Sequence, residues 1–279
     1  MPGALAPWVL GMALRPFRPQ DLRARVEGKL AVVTGASRGI GREVARRIAV
    51  SGATVVGLAR DGAALDAVRA AAARAGGTIH PLLADLRATE AAIEAAKAML
   101  AEWGVPDLVV SNAGHSIHRP VSQSWDRLHD FERLIRLHYL GPLALLAPLA
   151  ARMRAGQIVS VTSAAIDWPV PNWSAYTASK AAFEAWLASA GPELGAQGVT
   201  VTSVHLPRVA TSMSAPTAGR YLVPELTVSQ AATVVCQVIA HPRRTASPWW
   251  ARLGAGLNGA WPELGHQLWL RLLRSGLEP

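Results

Sequence analysis

The stretch KLAVVTGASRGIGREVARRI, residues 29–48, decides the fold. Its first apolar run is typical of a strand buried on both faces of a parallel sheet. Gly35, Gly39 and Gly41 follow, and their missing side chains let the backbone approach a pyrophosphate. Apolar residues then recur every four positions over 40–48, which predicts a helix whose first N–H groups face an anion. The stretch therefore predicts a nucleotide site, and a tight turn that binds nothing is the alternative.

The composition indicates one globular domain with a large core. The chain has 279 residues, of which 51% are hydrophobic and 17% are charged. Its formal charge is +9, but the basic residues are dispersed and not interleaved with aromatic residues, so we expect no nucleic-acid partner. Cys236 is the only cysteine, which fits a reducing, cytoplasmic compartment and a small buried side chain. No apolar run reaches the ~18–20 residues that a membrane-spanning helix needs.

Apolar runs alternate with helical segments along the rest of the chain. Strands are predicted at 54–59, 78–84, 107–110, 157–161 and 199–206, and helices at 63–75, 89–103, 122–154, 175–191 and 227–240. This alternation predicts an α/β fold, a doubly wound parallel sheet of the Rossmann type with helices on both faces. Prolines predict a kink near Gly141-Pro142, and an end to the helix 175–191 at Gly191-Pro192.

The predicted domain covers residues 28–240 and includes a loop at 208–226 that we expect to be mobile and to lie beside the site. An apolar and basic leader, 1–27, precedes the domain, and a helical extension rich in tryptophan and arginine, 241–279, follows it. Such segments suit the roof of a substrate channel or a lipid interface. Simple coverage of a sheet edge by the tryptophans is the alternative.

Tyr176 and Lys180 are four residues apart on a predicted helix, so their side chains share one face. A neighbouring ammonium favours the phenolate form and lowers the tyrosine pKa, which predicts a general acid. An exposed Tyr–Lys pair without function is the alternative, although this chain has only three lysines among its 28 basic residues. Ser163 ends the strand near 157–161, at the edge where parallel sheets place ligands, and its hydroxyl can donate to a carbonyl oxygen.

With TGASRGIG (34–41), SNAG (111–114), Ser163 and YTASK (176–180), the chain resembles the short-chain dehydrogenase/reductase family. The segments VHLPRVATSMSAPT (204–217) and WPELGHQLW (261–269) are more narrowly similar to bacterial fatty acyl-CoA reductases and related ketoreductases. The resemblance implies an oxidoreductase that reduces a fatty aldehyde, an acyl-CoA or a ketoacyl compound. It also implies a homodimer or homotetramer formed through the long helices, with Trp186 as a candidate interface residue.

The resemblance also implies roles for individual residues. Tyr176 would protonate the carbonyl, Ser163 would hold it, and Lys180 would lower the tyrosine pKa and bind the nicotinamide ribose. The implied cofactor-binding residues are Gly35, Ser37, Arg38, Gly39, Ile40, Gly41, Arg60, Asp85, Leu86, Asn112, Ala113, Gly114, Tyr176, Lys180, Pro207, Val209 and Thr211. No metal-ligand spacing emerges, so no metal site is predicted.

Two residues depart from the family pattern. His138 stands where the family usually has an asparagine in a proton relay, and Arg208 stands where it commonly has a glycine. A nucleotide-binding scaffold with weakened catalysis is therefore one alternative to an active enzyme. A peripheral membrane protein, suggested by the tryptophan- and arginine-rich ends of the chain, is another.

The cofactor choice turns on the end of the second strand. Arg60 occupies the place where an acidic residue would bind the ribose of NAD, and Arg38 adds a second guanidinium. NADPH is therefore predicted, because arginine binds a phosphate with two hydrogen bonds. Asp61 leaves NAD open.

Overall fold

A computed structural model describes residues 17–168, 170–217 and 225–275. In these residues seven strands form one parallel sheet, namely β1 (Leu30–Thr34), β2 (Thr54–Ala59), β3 (Thr78–Leu83), β4 (Leu108–Ser111), β5 (Gly156–Ser163), β6 (Val199–Leu206) and β7 (Thr245–Ala246). Their order across the sheet is β3-β2-β1-β4-β5-β6-β7. The chain direction across the sheet reverses between β1 and β4, and open parallel sheets bind ligands at the carboxyl ends of such strands. The predicted doubly wound Rossmann sheet is confirmed.

Helices cover both faces of the sheet. They are α1 (Pro19–Val26), α2 (Gly39–Val50), α3 (Gly62–Arg74), α4 (Thr89–Glu102), α5 (Leu128–Ile135), α6 (Gly141–Ala150), α7 (Ser174–Ala196), α8 (Val228–Ala240), α9 (Trp249–Ala260) and α10 (Pro262–Arg274). One core joins the sheet to α1, α2, α3 and α8, and a second joins its other face to α4, α6 and α7. Cys236 lies in the first core, where burial raises the pKa of its thiol to about 12. It is a buried small side chain, as predicted.

The predicted helix 122–154 is shorter and divided. A π-helical segment, Arg136–Leu140, joins α5 to α6 immediately before Gly141-Pro142, where the kink was predicted. A Cβ atom at Gly141 would overlap the carbonyl oxygen of Leu86. Only glycine at this position therefore allows the helix to pack so closely against the loop after β3.

The prediction that Gly191-Pro192 ends the helix 175–191 is wrong. α7 continues through Pro192 to Ala196. Leu194 is buried against the sheet beyond the proline, and this packing offsets the ~3 kcal/mol that a proline costs inside a helix. The short strand β7 was not predicted, because two residues carry no periodicity.

The described part of the predicted leader is mainly α1, whose buried Leu22 and Val26 pack on the first core. Residues 1–16, 169, 218–224 and 276–279 lie outside the described residues. The expectations for the apolar start of the leader and for the middle of the loop 208–226 fall there. Within the described ranges, no helix combines the length and apolar character needed to cross a membrane.

Candidate active site

The turn between β1 and α2 requires its glycines. Gly35 and Gly39 have φ values of +67° and +56°, a region that favours glycine. A Cβ atom at Gly41 would overlap the carbonyl oxygen of Gly35 and the side-chain amide of Asn112. The backbone of this turn is therefore left open at the N-terminus of α2, where N–H groups face an anion.

Thr34, at the end of β1, fixes this turn to the end of β4. Its hydroxyl oxygen accepts hydrogen bonds from the backbone N–H groups of Asn112 and Ala113, both at 2.9 Å. Asn112 in turn donates from its side-chain nitrogen to the carbonyl oxygen of Thr34, at 3.0 Å. The sequence analysis missed Thr34, because its role depends on a contact 78 residues away.

These elements surround a cavity of about 1320 Å³ at the carboxyl edge of the sheet. The predicted residues that line it are Gly35, Ser37, Arg38, Gly39, Ile40, Arg60, Asp85, Leu86, Asn112, Ala113, Gly114, Ser163, Tyr176, Lys180, Pro207, Val209 and Thr211. Two predicted residues, Gly41 and His138, lie behind this lining. Open glycine backbone at one end of the cavity and arginines beside it fit a dinucleotide phosphate.

Ser163 and Tyr176 face each other inside this cavity. The Ser163 hydroxyl, at the end of β5, hydrogen-bonds to the phenol of Tyr176, on the first turn of α7. The tyrosine ring is held between two others, with edge contacts to His138 and Trp173 at centroid distances of 5.5 Å each. The phenol therefore has a fixed position beside a second hydroxyl.

Lys180 lies one helical turn further along α7. Its Nζ donates to the carbonyl oxygen of Val161, at 3.1 Å, and burial lowers its pKa to about 8. Burial raises the pKa of Tyr176 above its usual 10, and the hydrogen bond from Ser163 opposes this rise only in part. Burial therefore has the largest effect on the tyrosine pKa, and the predicted lowering of that pKa by Lys180 stays a prediction.

His138 is buried behind Tyr176 and Lys180, and both of its ring nitrogens are occupied. Nε2 accepts from the backbone N–H of His115 at 3.1 Å, and Nδ1 lies 2.8 Å from the Ser179 hydroxyl. Ser179 donates its own hydrogen to the Tyr176 carbonyl, so His138 Nδ1 carries the proton. Burial, followed by the Lys180 charge, lowers the pKa of His138 well below 6.5. The ring is a neutral structural link between helices.

Three arginines gather at the far end of the cavity. Arg38 and Arg60 line it as predicted. Arg87, which was not predicted, donates hydrogen bonds to both side-chain oxygens of Asp85. Arg60 lies 3.8 Å from the same carboxylate, and Arg87 lowers the pKa of Asp85. Asp61 instead caps α3 by accepting from the backbone N–H of Ala64 at 3.0 Å.

Arg208 ties together the two ends of the loop 208–226. It donates to the carbonyl oxygen of Ser214 at 2.7 Å and forms an ion pair with Glu225 at 3.2 Å. Backbone hydrogen bonds between 208–210 and Leu226 close the base of the loop. Arg208 thus has a packing role that a glycine lacks, and Thr211 still reaches the cavity.

Residues 29–221 match the model of the family described as short chain dehydrogenase. The chain belongs to the short-chain dehydrogenase family. Two relatives are named fatty acyl-CoA reductase. One, from Acinetobacter baylyi, is 37% identical and the match covers 81% of this chain and 78% of that protein. The other, from Mycobacterium tuberculosis, is 38% identical, with 77% and 74% covered. A metagenomic short-chain oxidoreductase solved with NADP has a TM-score of 0.69 and 29% identity over 80% of this chain and 97% of that one.

This short-chain dehydrogenase contains a buried ionic cluster beneath the Ser163 loop. His205, on β6, lies 2.8 Å from Asp167 and 3.6 Å from Glu184, while Ser247 donates to Asp167 at 2.6 Å. Burial alone lowers the pKa of His205, but the two carboxylates outweigh it and raise the pKa to about 9. The cluster connects the loop after Ser163 with α7 and β6. The sequence offers no spacing signal for it.

The helices α9 and α10, residues 249–274 and hereafter the roof, cover one side of the short-chain dehydrogenase cavity. Trp250, Trp269 and Leu272 line it from the roof. Trp168 packs against the backbone of Gly254, where a Cβ atom would overlap its ring. The tryptophan-rich extension thus contributes to the lining of the cavity, and its predicted role over a substrate stays a prediction. In the described ranges, no group of three or more His, Cys, Asp or Glu side chains is placed to hold a metal ion.

Proposed function

We propose that this chain is an NADP-dependent reductase of a hydrophobic carbonyl compound, of the fatty aldehyde, acyl-CoA or ketoacyl type. The observation that carries the proposal is the hydrogen-bonded pair of Ser163 and Tyr176 hydroxyls in the cavity that the glycine turn enters. Two relatives named fatty acyl-CoA reductase support the substrate class.

The chemistry needs a hydride at the carbonyl carbon and a proton at the carbonyl oxygen. Bound NADPH supplies the hydride. Ser163 donates a hydrogen bond to the carbonyl oxygen and orients it, and Tyr176 transfers its phenolic proton to that oxygen as negative charge develops. Lys180 lies one turn behind the phenol, where its ammonium stabilises the phenolate that remains. The edge contacts of His138 and Trp173 hold the ring in place.

The cofactor preference follows from the charges at the cavity end. Arg38 and Arg60 supply positive charge for a 2′-phosphate, and Asp61, the carboxylate that would suit NAD, is engaged in capping α3. The NADP-bound structural relative supports the same preference.

The test is Tyr176→Phe, with Tyr139→Phe as the matched control. Tyr139 packs on the second core and does not line the cavity. NADPH oxidation with aldehydes from four to sixteen carbons should fall ~10²–10⁴-fold in Tyr176→Phe, while NADPH binding stays within about two-fold. The control should retain normal turnover. A Tyr176→Phe enzyme with more than a tenth of the normal rate would refute the assignment.

The departures from the family pattern do not favour an inactive scaffold. The neutral His138 ring is fully hydrogen-bonded, and Arg208 stabilises the base of the loop without contacting Ser163 or Tyr176.

We further propose a homodimer or homotetramer formed through the long helices. Trp186 stacks on Phe183 at a centroid distance of 5.7 Å, which leaves only part of its ring for such an interface. Analytical ultracentrifugation measures the oligomeric state.

For location, we propose the cytoplasm, with peripheral contact between the roof and a membrane. Trp249, Leu253 and Leu257 recur every four residues on α9 and are 53%, 55% and 42% exposed. Such a stripe suits the headgroup region, where tryptophan rings are favoured. Sedimentation with anionic liposomes should recover the protein, and Leu253→Glu should abolish the recovery.

A further inference from the structure

A second cavity, of about 520 Å³, lies beside α10. It is formed between the start of α7 and the second helix of the roof. Its lining is mostly apolar, and two of its residues, Val170 and Trp269, also line the large catalytic cavity. The two cavities therefore meet at these residues.

Two tryptophans are in contact near the place where the cavities meet. Trp269, on α10, contacts Trp168 edge to face with a centroid distance of 6.5 Å. Trp168 belongs to the loop that follows Ser163 and lines the catalytic cavity. Flat aromatic surfaces of this kind contact alkyl chains over a large area without requiring polar partners. A chain that leaves the catalytic pair can therefore follow the indole surfaces outward.

On α7, neighbouring residues in the sequence line the two cavities. Tyr176 lines the catalytic cavity, and its neighbours Thr177 and Ala178 line the second one. Successive helical residues point about 100° apart, so one helical turn carries both surfaces. The path from the phenol to the second cavity thus crosses a single turn of helix.

The α10 side supplies the apolar surface. Leu270 and Leu273 line the second cavity, and Leu273 is 45% exposed. Apolar side chains that remain in contact with water in a concave site favour an apolar ligand. Each methylene buried there strengthens binding by about four-fold.

We propose that this second cavity, hereafter the tail groove, binds the distal part of a linear alkyl chain whose carbonyl group lies at Ser163 and Tyr176. The inference rests on the proposed function and deepens it. It assigns the discrimination between short and long substrates to the contact between α7 and α10. The chain passes Val170 and Trp269 and ends against Leu270 and Leu273.

The test compares Leu270→Glu with Leu268→Glu. Leu268 lies on the same helix, is 47% exposed and lines neither cavity. For an aldehyde series of four to sixteen carbons, kcat/KM of the wild-type protein should rise with substrate length once the alkyl chain is long enough to pass Trp269. Leu270→Glu should lower the ratio of long-chain to short-chain kcat/KM at least ten-fold, mainly through KM. Leu268→Glu should leave this ratio unchanged.

A second variant fills the groove without adding charge. Ala178→Leu places apolar volume in the groove from an exposed position on α7, and it should also depress long-chain binding. Displacement of a fluorescent sixteen-carbon fatty acid reports this binding without turnover, and melting temperatures verify folding. Loss of affinity in Leu270→Glu and Ala178→Leu, but not in Leu268→Glu, supports the tail groove.

Three outcomes distinguish failure of the tail groove from failure of the reductase proposal. If the normal protein reduces carbonyls with no dependence on chain length, the tail groove is wrong and the reductase proposal stands. If no carbonyl of any length is reduced, the reductase proposal fails, and fatty-acid displacement alone decides on the groove. If Leu268→Glu loses as much long-chain affinity as Leu270→Glu, the effect belongs to the helix surface and the groove assignment is refuted.

Discussion

Replacing His205 by glutamine is expected to change how the stability of the protein depends on pH. His205 lies between Asp167 and Glu184, and its side chain is only 6% exposed. Glutamine keeps a polar side chain of similar length that can donate to Asp167, but it does not titrate. The comparison therefore isolates the charge of the imidazolium from the packing of the cluster.

The magnitude follows from the pKa of His205, which the carboxylates raise from 6.5 to about 9 against the effect of burial. A pKa that is higher in the folded state contributes stability that is fully present below pH 6.5 and is lost as the pH rises through about 9. At 1.36 kcal/mol per pKa unit, this contribution is on the order of 3 kcal/mol.

Urea unfolding at intervals from pH 6 to pH 10 measures this contribution. The difference in unfolding free energy between the normal protein and His205→Gln should decrease by on the order of 3 kcal/mol across that range. His241→Gln is the matched control, because His241 pairs with Asp21 at a half-exposed site where solvent screens the interaction. A difference that stays constant from pH 6 to pH 10, or that grows with pH, would refute the assigned charge state of the cluster.

The other predictions concern the cofactor, the relay position and the roof. Arg60→Ala should weaken NADPH about ten- to one-hundred-fold in a fluorescence titration and leave NADH unchanged, because it removes a charge-assisted contact to phosphate. Arg69→Ala, on the outer surface of α3, should change neither cofactor. His138→Asn should leave the pH–rate profile between pH 5.5 and 8 unchanged in shape, since burial keeps the imidazole neutral there. A limb near pH 6.5 that the variant loses would contradict this. Gly254→Ala should lower the melting temperature, because the added Cβ overlaps Trp168, whereas Gly256→Ala, with nothing within 4 Å, should raise it through its helix propensity of ~1 kcal/mol. Equal shifts in the two variants would contradict the packing of Trp168 on α9.

The parts of the fold that depend on local periodicity were predictable. Buried parallel strands such as β1 read as continuous apolar runs, and the helices between them carry their own pattern. The end of α7 was not predictable, because Pro192 is a strong local stop and only the distant contacts of Leu194 overcome it. Tertiary packing decided this helix boundary.

The site also contains residues that sequence spacing predicts and residues that it does not. The glycine turn, Ser163, Tyr176 and Lys180 carry spacing that points to their chemistry, and the structure gathers them at one cavity. Thr34 and His205 act through partners that lie tens of residues away. No spacing rule connects such residues, so only the folded chain brings their partnerships into view.

The roof and the residues that match the family model occupy different parts of the sequence. The match to the family model ends at residue 221, and α9 begins at Trp249, so the roof lies beyond the stretch that matches the model. The cavity wall formed by Trp250, Trp269 and Leu272 therefore comes from a later stretch of the chain than Ser163, Tyr176 and Lys180. Exchange of residues after β7 between homologous enzymes offers a route to chimaeras with new substrate ranges and an untouched catalytic pair.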